Sequence, residues 1–160
     1  MYLNALEFLE EEREAWRPFE SLADLSDGQL EIGVAGAHGW AGRDLIGHLV
    51  ACQENALAVA RELAVGERSP TKEQLVRDWD ARGGEVINAE IEAAWHTLPM
   101  PEVRERFRTV PGDMRGYLTV VPETRWVKSA EYLRYFLGET IEHYAEHEAD
   151  LDAIRAATAG

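Results

Sequence analysis

The sequence predicts an all-α protein, a four-helix bundle with long connections, and three observations lead there. Apolar residues recur at steps of three and four through four long stretches, the spacing of one buried helical face. Alternating strand patterns are lacking: Tyr117-Leu118-Thr119-Val120-Val121 is the best candidate, and it has no obvious partner. A chain of 160 residues with 46% hydrophobic side chains is enough for one domain, 1–160, with a proper core.

The first helix is expected over roughly 2–24, where Leu3, Leu6, Leu9, Trp16, Phe19 and Leu22 recur at helical spacing. Pro18 conflicts with that run, because it cannot donate to Glu14 and should kink or restart the helix. Ser26-Asp27-Gly28 ends the segment, and Gly33, Gly36 and Gly39 mark a loop leading to Trp40. The second helix is expected from near Gly42 to about Ala64, with the stripe Leu45, His48, Leu49, Cys52, Ala56, Val59 and Leu63. Thr71 is the expected N-cap of the third helix, which carries Leu75, Trp79, Ile87 and Leu98 and is weakened by Gly83-Gly84. From 99 to 128, Pro99, Pro101, Pro111 and Pro122 predict a long irregular crossover with short helical pieces. The last helix is expected to open at Ser129 and run unbroken through Thr140, His143, His147, Leu151 and Ile154.

Charge and cysteine content narrow the functions. Acids outnumber bases 30 to 16, for a net charge of −14, so neither nucleic acid nor an anionic membrane is an expected partner. The single cysteine, Cys52, excludes an internal disulfide and suits a reducing cytoplasm. The acidic N-terminal stretch lacks the pattern of a signal peptide, and no segment approaches a membrane span in length.

The chemistry lies in three histidines. His143 and His147 are four residues apart and share a helical face, so both imidazoles can converge on one ion. His48 lies on the buried stripe of the second helix and can complete a tripod with open coordination positions. Three inward imidazoles without a metal would need three separate hydrogen-bond networks, since both ring nitrogens need partners. Glu139, Glu142 or Glu146 could orient the outer nitrogens, and Glu139 and Glu146 are the candidate proton-transfer residues. His143-Tyr144-Ala145-Glu146-His147 also fits the inverted zinc-peptidase pattern, but 13 residues after His147 leave too little chain for its downstream carboxylate ligand. Cys52, one turn from His48, is a possible fourth ligand of a closed structural site, with a small core residue as the plainer reading. Arg43, Arg115 and Arg134 are possible carboxylate clamps, and His38 and His96 are spare histidines.

Two motifs give the chain a resemblance. Trp40-Ala41-Gly42-Arg43-Asp44-Leu45-Ile46-Gly47-His48-Leu49 and Glu139-Thr140-Ile141-Glu142-His143-Tyr144-Ala145-Glu146-His147 are similar, in order and spacing, to those of the DinB-like superfamily of metal-binding four-helix bundles. That group, of DinB/YfiT-like type, includes the N-terminal domains of mycothiol-dependent maleylpyruvate isomerases. The resemblance implies a divalent ion (zinc, nickel or iron) on His48, His143 and His147, and a homodimer. It also implies thiol-dependent transfer or isomerisation, with a low-molecular-weight thiol and a small electrophile as substrates. Ala41 departs from the Ser or Thr expected as N-cap, and the isomerase branch often carries Glu where His143 stands. A non-enzymatic metal-binding stress protein and a metal-free helical interaction module are the alternative readings.

Overall fold

Helix α3 (Gly42–Val65) organises the molecule. In the computed structural model, which describes residues 1–159, the rods α4 (Pro70–Arg82), α5 (Gly84–His96), α6 (Met100–Val120), α7 (Ala130–Glu139) and α9 (Glu148–Thr158) all lie on it, and α1 (Ala5–Trp16) adds Phe8 and Trp16 to the same core. α2 (Asp27–Leu30) and α8 (Ile141–Glu146) are short, and α8 packs on α1. The described residues are all-helical, with no strand among them.

Local chemistry explains the helix starts. Asn4 Oδ1 accepts the Glu7 N–H at 2.9 Å and opens α1. Pro18 does restart the chain, as a 3-10 helix over Arg17–Asp24, so the first segment is two elements. Ser26 and Gln29 form a reciprocal capping box on α2. Ala41 has no side-chain acceptor to cap α3, but Asp44 Oδ2 accepts the Ala41 N–H at 2.8 Å and keeps the start at Gly42. The N-cap of α4 is Ser69 rather than Thr71, with Pro70 pre-shaped for the first turn. Gly83, at φ +82°, then breaks the expected third helix into α4 and α5.

Two expectations are corrected. The stretch after Pro99 is no irregular crossover, and its strand candidate is helical: Met100–Val120 is one helix and the broadest partner of α3. Pro101 falls in the first turn, where a missing N–H costs little. Pro111 sits inside, at a cost of about 3 kcal/mol. Val103, Phe107, Val110, Met114 and Leu118 are buried, and about 1.5–3 kcal/mol for each side chain outweighs it. The last helix is also not continuous. It breaks at Thr140 (φ −124°, ψ −100°), whose hydroxyl donates back to the Phe136 carbonyl, and again at His147 (φ −110°, ψ 8°).

The core has two apolar parts. One surrounds Trp16, Phe19, Leu45, Leu49, Phe107 and Tyr144; the other surrounds Phe8, Leu63, Met114, Trp126, Leu133 and Phe136. Between them along α1, α3 and α6 lies a polar waist. Glu12, fully buried, accepts from Arg115 and from the Tyr144 hydroxyl, and Tyr144 accepts from Gln53 Nε2 at 2.8 Å.

Candidate metal centre

α3 presents His48, α8 presents His143, and the turn joining α8 to α9 presents His147. The three rings stand in a nearly equilateral triangle, with centroids 4.8, 4.8 and 4.9 Å apart. One ligand nitrogen from each lies within 4.8 Å of the other two. His48 Nε2 and His143 Nε2 face each other at 2.9 Å. The breaks in the last helix do not separate the pair; the tightened turn, with the His147 N–H on the Tyr144 carbonyl at 3.0 Å, sets the approach of the third ring.

The surroundings hold two of the imidazoles neutral. Burial, with the neighbouring rings adding to it, lowers His48 to about 4 and His143 to about 3. Neutral imidazole is the form that binds metals. Trp40 stacks on His147 with ring centroids 5.7 Å apart and packs on His48 at 5.0 Å. Asp150 Oδ2 lies 2.8 Å from His147 Nδ1, which leaves Nε2 of that ring for the centre. The other oxygen of Asp150 lies 3.4 Å from His38 Nε2, so His38 supports the carboxylate from the loop.

The protein alone does not satisfy this cluster. The His48–His143 contact uses one proton between two nitrogens. In either tautomer, His143 Nδ1 is buried without a hydrogen-bond partner. Three imidazole nitrogens converging from separate elements fit a borderline divalent cation. The cluster could hold a metal ion.

The other sequence candidates are distributed unevenly. Glu139 and Glu146 both line the chamber of about 450 Å³ onto which the histidines open. Burial raises Glu139 to about 7, and burial also pushes up the Cys52 thiol. Cys52 lines the same chamber, yet it lies outside the histidine cluster and is no fourth ligand in this arrangement. Glu142 pairs with Arg134 and does not orient an imidazole. Arg43 is buried, bridging Glu31 to the Trp95 and Leu98 carbonyls, and Arg115 is held by Glu12. No clamp at the chamber comes from these three arginines. His96 pairs with Asp44 at 2.5 Å, fastening the end of α5 to the start of α3.

Sequence reasoning missed Asp150 and the stacking of Trp40. The signal for Asp150 was present: a carboxylate three residues beyond His147 shares its helical face. No protein-family model, curated protein or solved structure matches the chain.

Proposed function

We propose that the chain is a divalent-metal-binding protein of DinB-like type, and that it acts as a metal-dependent enzyme of the thiol-dependent transferase or isomerase class on a small electrophile. The observation that carries the reading is the convergence of three imidazoles on an open chamber that Glu139 and Glu146 also line. His48, His143 and His147 would hold the ion, with zinc, nickel or iron compatible with an all-imidazole set. Such an ion supplies Lewis acidity toward an oxygen or sulfur ligand.

The chain's own groups do the rest. Asp150 accepts from His147 Nδ1–H and fixes that ring's tautomer. Trp40 covers two of the imidazoles and excludes water from that side. Glu139, with its acid raised to about 7 by burial, holds or releases a proton near neutral pH, the range a general acid–base group needs. Glu146 is exposed at the chamber edge, placed to pass a proton to solvent. The position of Cys52 outside the histidine cluster favours an open catalytic site over a closed structural one.

The test is elemental analysis of untagged protein. One equivalent of divalent metal is expected, lost on replacing His48, His143 and His147 by Ala. Turnover is then assayed with mycothiol, bacillithiol and glutathione against electrophiles, where Glu139→Gln is expected to lower kcat by about 10²–10⁴-fold. Metal-free wild-type protein whose thermal stability no divalent ion raises would overturn the metal reading.

A further inference from the structure

The histidine chamber does not end at the imidazoles. It continues into a groove of about 360 Å³ between the bent α4–α5 rod and α7, and Cys52, Trp79, Asn88 and Glu139 line both spaces. Each volume falls in the range of about 300–1,000 Å³ typical of small-molecule sites. The walls differ in kind. The chamber carries the three histidines and Glu146, whereas the groove adds the apolar side chains Leu75, Val76, Ile87 and Ile91 with Tyr135, and Trp79 stands at the junction.

Three features point to an occupant for that groove. First, α4 buries none of its residues, and it leaves Val76 46% and Trp79 53% exposed, large apolar surface for a helix that packs on α3. Second, the indole of Trp79 lies on the backbone of Gly84, where a Cβ would come within 2.5 Å of its Cζ2. The glycine elbow thus leaves room for the ring at the junction of the two spaces. Third, Tyr135 lines the groove and its buried hydroxyl has no hydrogen-bond partner within the protein.

Charge narrows the chemistry. The groove carries Asp78, Asp80 and Glu90 with a single cation, Arg82, and that guanidinium is paired with Glu90. An anionic arm would meet like charge.

We propose that chamber and groove form one site for an amphipathic small molecule, with a polar reacting group at the three histidines and an uncharged apolar arm along α4–α5 and α7. The position of the head rests on the metal reading above; the position of the arm rests on the groove alone. Within this site Trp79 and Ile91 act as specificity-determining residues, through apolar area they cover on the arm. Cys52, Asn88 and Glu139 flank the point where arm meets head.

The test uses straight-chain alkyl hydroxamates, from acetyl to octanoyl, titrated calorimetrically into zinc-loaded protein, and n-alkanols of matching length titrated into chelator-treated protein. Hydroxamate affinity is expected to rise roughly fourfold per added methylene until the groove is filled, the ratio set by about 0.8 kcal/mol per CH₂. Trp79→Ala and Ile91→Asn are expected to flatten that slope, and Ile91→Asn, outside the chamber, is expected to leave the acetohydroxamate Kd unchanged. A terminal carboxylate on the arm is expected to weaken binding about tenfold. Affinity independent of chain length, or a slope that survives both substitutions, overturns the groove while short hydroxamates still report the metal. A slope with alkanols and no gain from the hydroxamate head overturns the metal reading and keeps the groove.

Discussion

One peptide bond joins the two buried polar clusters of this protein. Tyr144 completes the waist with Glu12, Arg115 and Gln53; His143, its neighbour, belongs to the histidine triangle. In the waist the one buried side-chain atom without a partner is the acceptor Gln53 Oε1. In the triangle, two imidazole nitrogens face each other and a third is orphaned. Both clusters lose hydration on folding; in the waist Glu12, Arg115, Tyr144 and Gln53 Nε2 recover most of that loss from one another, whereas the triangle has a single contact between two like nitrogens. The difference separates a polar cluster that holds the fold from one that has binding capacity to spare.

The largest effect is expected in the waist. Glu12→Ala strands the Arg115 guanidinium and the Tyr144 hydroxyl in the interior, and should cost about 3–5 kcal/mol, read from urea denaturation. Replacing His48 by Ala should change the stability of chelator-treated protein by less than about 1 kcal/mol, while abolishing the rise in Tm that a divalent ion gives. A loss as large as that of Glu12→Ala would erase the contrast between the clusters.

Glu139 offers a finer test through pH. Burial raises its folded-state value from 4.5 to about 7. Between those values the folded chain keeps a proton that the unfolded chain has released, so this group's contribution to stability falls as pH rises through that window. Glu139→Gln should therefore be more stable than the wild type at pH 8, by about 1–2 kcal/mol after screening by water, and equal to it at pH 4. Thermal melts across pH 4–8 would show the two curves separating as pH rises; parallel curves would contradict the buried acid. The smallest effect belongs to Cys52→Ser, which should leave metal stoichiometry at one and shift metal affinity less than tenfold. Loss of the metal in that variant would place the thiol among the ligands.

Much of this architecture was legible in the residues. The boundaries of α3 followed from its apolar stripe, and the glycine pair and Pro18 marked real breaks. The three histidines converge because stripes place them inward, and the stripes could be read. α6 could not, because Pro111 disfavours a helix by local rules, and only tertiary burial of its apolar face against α3 overrides them. The breaks at Thr140 and His147 were equally hidden: the apolar spacing runs across both without interruption. The arginine candidates failed for a related reason. Sequence shows a cation but not its carboxylate, and Arg43 and Arg115 find theirs on distant segments.

The waist between the two apolar cores has a mechanical consequence. α1, α3, α6 and α8 each contribute one polar side chain to it, at a single level of the stack. Sliding any of these rods by a helical turn, about 5.4 Å, would drive a carboxylate or guanidinium into hydrocarbon. The cluster therefore works as a detent that fixes axial alignment, and through Tyr144 it sets the height at which the adjoining imidazole meets its counterpart on α3.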